Sequence, residues 1–238
     1  MKIRIKFSKT GNLKYIGHLD TMRCFQKIMR RAEVDSAYSE GFSPHQIMSF
    51  ASPLGVGMTS EGEYVDIEVL STESSAKMME RINRVSVDGI RITGYVKLPE
   101  KSKTAMSMVA AADYLLTFDV PVDQQTKDAF AEFLKQESVI IHKKTKKQEL
   151  DMEIRPLIYK TEFLQNEKGQ DQLFLQVSAG SAANLKPEQV MEAFAAWRNV
   201  PEGSLPFHNH RLEMYADLAK ENRKRKLVSL ESLGEIIE

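Results

Sequence analysis

The chain has 238 residues, 42% hydrophobic and 28% charged, enough to bury a core and to form one large domain or two small ones. Its 33 Lys+Arg balance 33 Asp+Glu, which excludes a globally basic coat and confines any nucleic-acid surface to a local patch. One cysteine, Cys24, excludes an internal disulfide, a self-held iron–sulfur cluster and a Cys-rich zinc site.

A single cysteine also fits a reducing cytoplasm, the expected location. Residues 1–6 alternate polar and apolar side chains without a continuous apolar core, so no signal peptide is expected there. No run of about 18 apolar residues occurs, so no membrane span is expected.

The elements follow in chain order. Ile3, Ile5 and Phe7 alternate with Lys2, Arg4 and Lys6, which predicts a half-buried strand with a cationic outer face. After a turn at residues 10–12, helical spacing of Leu19, Met22, Phe25, Ile28, Met29 and Ala32 predicts a helix over 17–32 with those residues inward. Arg23, Lys27, Arg30 and Arg31 share another face of it. Such a stripe is by default solvated, but next to a cationic strand it becomes a candidate patch.

Residues 38–64 are dense in Gly and Pro: Gly41, Pro44, Pro53, Gly55, Gly57 and Gly62. That density marks turns and close backbone approaches. A strand is predicted over 45–52 between the two turns, and an alternating strand over 63–69. Ser71 to Ser74 offers a helix cap before a helix over 76–85 that buries Met78, Met79 and Ile82. A strand over 89–98 completes the order strand, helix, strand, strand, helix, strand, the ferredoxin-like split pattern.

Residues 99–112 read as a linker. The same order then recurs. A strand is expected over 114–120, and a helix over 124–136 with Phe130, Phe133 and Leu134 inward. A strand from 139 runs into the basic stretch 143–147. Extended chain follows over 149–163 and a strand over 172–177. A helix opening at Pro187 carries Val190, Phe194 and Trp197, and a last strand covers 210–215. The expected architecture is α+β with two tandem ferredoxin-like (βαββαβ) halves, 1–98 and 113–216, and a charged tail over 217–238.

The candidate chemistry is sparse. His18 and His45 each begin an element and could meet at one end of the first sheet, where a histidine pair can act as general acid and base. Gly41, Phe42, Ser43, Pro44, Gly55, Gly57 and Glu61 would shape a pocket there. Arg4, Lys6, Arg23, Lys27, Arg30 and Arg31 would contact phosphate or partner carboxylates. In the second half Asp151, Glu153 and Arg155 share one strand face, while His208 and His210 read as a surface strand end. No metal site is expected, because no ligand spacing such as HxxxH occurs. No P-loop, GxGxxG, GxSxG, CxxxCxxC or kinase signature occurs either.

Several segments together resemble the uncharacterised radical-SAM-associated protein family. They are the opening Arg4 to Lys9, then Gly17-His18-Leu19-Asp20, Arg30-Arg31-Ala32 and Tyr38 to His45 with its GFSPH run. Leu54-Gly55-Val56-Gly57 through Tyr64 and, more weakly, Asp151 to Pro156 complete the set. The resemblance implies a partner more than a reaction: a radical S-adenosylmethionine (SAM) protein encoded beside or fused to such a chain. The iron–sulfur cluster and S-adenosylmethionine would reside in that partner, and this chain needs no cofactor of its own. The role so implied is an accessory module that contacts RNA or the modified substrate through a local basic cleft. Two alternatives stay open. Element order is similar to that of RAMP-type CRISPR endoribonucleases, which would make His18 and His45 a metal-independent catalytic pair. A pure protein–protein adaptor is the other.

Overall fold

A computed structural model of the protein describes residues 1–144, 149–219 and 224–238. It is an α+β chain with five helices among the described residues, and its registered strand pairs are antiparallel. The elements are β1 (Lys2–Lys9), α1 (His18–Arg31), β2 (Met48–Phe50), β3 (Thr59–Glu68), α2 (Ser75–Val85), β4 (Ile90–Lys97), α3 (Ala105–Met108) and β5 (Val109–Phe118). Then come α4 (Gln124–Phe133), β6 (Ile140–Lys144), β7 (Glu149–Glu153), β8 (Ile158–Gln165), β9 (Asp171–Ser178), α5 (Pro187–Trp197), β10 (Phe207–Asp217), β11 (Leu227–Ser229) and β12 (Glu235–Ile236).

The chain forms two compact units, Met1–Ala111 with Arg211–Glu238, and Ala112–His210. This differs from the expected split at 99–112. That segment is no free linker: it folds into α3 and the start of β5, and Ala105 is buried. The tail also differs. It returns to the first unit as β11 and β12, with Leu230 fully buried. Residues 145–147 of the basic stretch, and Lys220 and Arg223 of the tail, lie outside the described residues.

In the first unit β12, β4, β1 and β3 lie side by side, and β2 adds to β3. Ile3, Ile5 and Phe7 point from β1 into a core with Phe25, Ile28 and Met29 of α1 and Met78 and Ile82 of α2. Each such side chain, taken from water, is worth roughly 1.5–3 kcal/mol. α1 starts at Gly17, whose carbonyl accepts from the Thr21 amide and hydroxyl, and ends before Glu33, which takes a left-handed φ of 51°. The expected inward set holds except at Leu19, which is 61% exposed. Thr21, not Leu19, is the buried residue of the first turn. β2 is shorter than expected, because residues 37–47 make a separate hairpin bridged at Tyr38 and Gln46.

In the second unit β5, β9 and β8 are neighbours, and β6 pairs with β7. The phenylalanines expected inward meet: Phe130 and Phe194 ring centroids lie 5.0 Å apart, Phe133 and Phe194 5.6 Å. Asp123 caps α4, its carboxylate accepting from the Thr126 amide at 2.7 Å; the Thr126 side chain first, then this amide, lower its pKa. Trp197, at the last turn of α5, is 44% exposed.

Candidate nucleic-acid interface

The exposed face of α1 carries four basic side chains. Arg23, Lys27, Arg30 and Arg31 are all exposed there. Arg23 meets Asp20 at 3.2 Å, and Arg30 donates to its own helix, to the Gln26 carbonyl. Among the described residues no carboxylate pairs with Lys27, Arg30 or Arg31. Cys24 lies on the half-buried flank of the same helix, where burial raises its thiol pKa.

The turn before α1 is exposed as well. Lys14 sits over the ring of Tyr15 at 5.1 Å, and Tyr15, Leu19 and Val56 are exposed. The 54–58 loop is tied to it: Gly57, at a φ of 90°, donates its amide to the Lys14 carbonyl at 2.7 Å. An L side chain at that φ would be strained, so the glycine is a requirement of the turn.

The GFSPH run forms the tip of the 37–47 hairpin. Gly41 turns the chain at a φ of 106°, and Phe42 stands fully in solvent. His45 closes the loop. Its amide donates to the Ser39 hydroxyl at 3.1 Å, and its Nδ1 lies 2.9 Å from the same oxygen. His18 is elsewhere. It packs edge-on against Phe50, 5.3 Å between ring centroids. His45 thus bonds within the 37–47 hairpin, whereas His18 packs on Phe50 of β2, and among the described residues no hydrogen bond or ring contact joins the two histidines. The two histidines therefore do not form the expected pair.

His18 instead borders a corner that the sequence did not mark. Lys9, Glu63, Phe7, Phe50, Ser52 and Leu54 line it with His18. Glu63 takes a two-pronged bond from Arg211, Nε to Oε1 at 2.8 Å and Nη2 to Oε2 at 2.6 Å, and Arg211 also reaches the Ser52 carbonyl. Lys9 donates to the Ile16 carbonyl at 2.9 Å. Burial lowers the Lys9 pKa, with Glu63 opposing and Arg211 adding to the shift. The space left is about 10 Å³, the room of one water molecule at most. This corner is a packed ionic joint, not a substrate pocket. Gly62 belongs to it: a Cβ there would stand 2.5 Å from the Glu213 Cα.

Arg4 and Lys6, expected on an outward cationic face, are turned inward. Arg4 is 1% exposed and bonds both oxygens of Asp66, at 2.7 and 3.0 Å, plus the Leu230 carbonyl. Asp66 lies directly opposite Arg4 across β1 and β3, and also accepts from the Ala105 amide. Lys6 pairs with Glu213 at 2.7 Å and lies 3.9 Å from Glu231. Tyr64 donates to Glu213 at 2.6 Å, and burial pushes the Tyr64 and Glu231 pKa values up.

In the second unit Asp151, Glu153 and Arg155 do not form the expected ladder. β7 stops at Glu153, and a 3-10 turn over Arg155–Leu157, with Pro156 inside it, takes Arg155 out of the strand. Asp151 meets His142 across the β6–β7 pair, and Arg155 donates to the Leu134 carbonyl. His208 is exposed and pairs with Asp119 at 3.1 Å, in keeping with a surface strand end. Among the described residues no group of three or more His, Cys, Asp or Glu gathers within metal-binding reach, and no helix is long and apolar enough to cross a membrane.

Residues 2–187 match the family described as "Uncharacterized protein conserved in bacteria (DUF2344)", and the chain belongs to that family. Comparison with curated proteins finds no match. Among solved structures the chain is similar to one entitled "Crystal Structure of a Cbf5-Nop10-Gar1 Complex", at 12% identity and a TM-score of 0.50. The likeness covers 89% of this chain and 48% of that one, so the chain spans about half its length. At that identity the likeness concerns fold alone.

Proposed function

We propose that this chain is an accessory module of a radical SAM enzyme system in the cytoplasm, and that it contacts RNA through the exposed face of α1. The observation that carries the reading is that Lys27, Arg30 and Arg31 stand exposed with no carboxylate partner among the described residues, while Arg4 and Lys6 are consumed inside the fold. Unpaired, clustered cations are what a phosphate backbone requires. Tyr15 and the protruding Phe42 supply flat apolar surfaces of the kind on which bases stack. The cluster and the S-adenosylmethionine belong to the partner, since Cys24 alone cannot hold an iron–sulfur cluster. The first unit's strand order β4-β1-β3-β2 also supports reading it as a ferredoxin-like half, and the chain as two such halves in tandem.

The nuclease alternative has less support, because His18 packs on Phe50 while His45 bonds to Ser39 within its own hairpin. The adaptor alternative rests on Phe42. Binding of a single-stranded RNA 20-mer, measured over a salt series, separates the readings. Arg23→Ala with Arg30→Ala is expected to weaken binding and to flatten the salt slope by about 0.7 for each phosphate no longer neutralised. An unchanged affinity and slope would refute the RNA face. Purification from the native cell under anaerobic conditions should bring down a radical SAM protein, and its absence would refute the obligate partnership.

A further inference from the structure

The second unit holds a cavity that plays no part in the proposed RNA face. It measures about 310 Å³ and opens between α5 and the 200–207 segment. That is the lower end of the size range of small-molecule sites. Its floor is apolar: Met191, Phe194, Ala195, Val200, Leu205 and Phe207. Its rim is acidic, with Glu188, Glu192 and Glu202 against one cation, Arg198.

Arg198 is already engaged. It donates to the Thr126 hydroxyl at 2.8 Å, and its guanidinium stacks 5.8 Å from the Phe194 ring. Glu188 accepts from the Asn209 amide at 3.0 Å. Asn209 is 7% exposed, and its buried carboxamide oxygen has no partner among the described residues. Glu192 and Glu202 have no ion-pair partner among the described residues, and Lys186 faces Glu192 only from the start of the helix. Burial first, then the charges of Glu202 and Glu188, raise the Glu192 pKa. Three carboxylates thus share one mouth with a single lining cation, Arg198, which forms no ion pair with Glu192 or Glu202 among the described residues, over a floor that favours hydrocarbon.

From this pairing of apolar floor and acidic rim we infer that the cavity binds a small organic cation, an ammonium or guanidinium group carried on an aliphatic or aromatic body. The body would rest on Phe194, Met191 and Phe207, and the cation would lie at the mouth near Glu192 and Glu202. A matched anion would meet the same carboxylates and be refused. The inference is independent of the RNA face, which lies in the other unit.

The test titrates the full chain with three probes of one shape, 4-phenylbutylamine, 4-phenylbutanol and 4-phenylbutyrate, followed by ligand-observed NMR. The amine should bind about fivefold or more tighter than the alcohol, and the carboxylate should not bind, as one partly screened ion pair predicts. Glu192→Gln with Glu202→Gln should erase the amine's advantage and leave the alcohol's affinity unchanged. Ala195→Trp should block both, with unchanged melting of the double glutamine variant as the control for folding. Equal binding of amine and alcohol, or binding of neither, would overturn the inference. So would tight binding of a Leu/Lys amphipathic peptide in this cavity while the amine fails, which would make the site a peptide groove.

Discussion

Two sets of basic side chains in the first unit begin from the same signal and end in opposite states. Arg4 and Lys6 alternate on β1, and Arg23, Lys27, Arg30 and Arg31 recur on α1. Both read as cationic faces. In the β1 pair Arg4 is buried and Lys6 half-buried, bonded to Asp66, Glu213 and backbone, whereas the α1 set stands in water with one acid, Asp20, among four bases. What separates them is the partner strand. β1 lies between β4 and β3, and β3 places Asp66 directly opposite Arg4. The segment around Leu230 and the α3 start then close over the pair. A helix face turned to solvent receives no such opposite residue. A run of cations is therefore a surface only where no neighbouring element supplies the counter-charge.

Disrupting the buried set should have the greatest effect. Asp66→Ala leaves the Arg4 guanidinium buried without its carboxylate, which should destabilise the first unit by about 3–5 kcal/mol. Replacing both at once, Arg4→Met with Asp66→Leu, should restore most of that loss, because the penalty lies in the orphaned charge. Amide exchange at Ile3 and Ile5 of β1 reads the first unit directly, whereas the one tryptophan, Trp197, lies in the second. A double variant as unstable as the single one would overturn this account of the pair.

The contrast also explains which parts were legible in the sequence. Local periodicity carried α1, α2, β1 and β3, because Phe25, Ile28, Met78 and Ile82 repeat at the spacing that a helix lays on a sheet. The turns were legible too: Gly41 and Gly57, read as turn residues, turn the chain at positive φ. The Arg4–Asp66 and Glu63–Arg211 pairs were not, since their members are 62 and 148 residues apart and no local pattern joins them. The histidine pair failed for the complementary reason. His18 does begin α1, but His45 closes the hairpin ahead of β2, and each ring takes its own local partner. The return of the tail to the first unit was hidden by composition. Lys224, Arg225 and Lys226 suggest a loose end, although Leu230, a few residues on, is a core side chain.

Lys6 stands between the two extremes. It faces two carboxylates, Glu213 and Glu231, and Tyr64 occupies an oxygen of Glu213. One ammonium faces two partly buried acids. Burial raises the Glu231 pKa first, Lys6 opposes it and Glu213 raises it further. A carboxyl whose folded pKa lies above its unfolded value contributes stability below the unfolded pKa, and that contribution is lost as pH rises through the folded pKa. Glu231→Gln mimics the protonated form. It should therefore match the wild type in acid and become relatively more stable as pH climbs above the ordinary carboxyl range. The difference should stay under about 1 kcal/mol, because the side chain is a third exposed and screened by water. Denaturant midpoints for the two proteins from pH 4 to 7 test this. A gap that narrows with rising pH would show that Lys6 holds Glu231 ionised.

The exposed set should give the smallest effect on stability, and its sign is informative. Lys27 lies four residues after Arg23, four before Arg31 and three before Arg30, so it faces like charges in every helical contact along that stripe. Each such pair costs an isolated helix about 0.2–0.5 kcal/mol. Arg30 and Arg31 recover part of this at the helix C-terminus, where the dipole favours cations, but Lys27 is too far from that end to gain much. Lys27→Glu converts the repulsions into attractions. It should raise the unfolding free energy of the first unit by about 0.5–1 kcal/mol at low salt, and the gain should shrink as salt is added. A helix kept for stability alone would not hold a lysine that a glutamate improves. The same substitution should weaken RNA binding more than Lys27→Ala does, because it puts a repelling charge where the alanine merely removes an attracting one. If Lys27→Glu instead destabilised the unit at low salt, the stripe would be a structural feature, and the contrast with β1 would collapse.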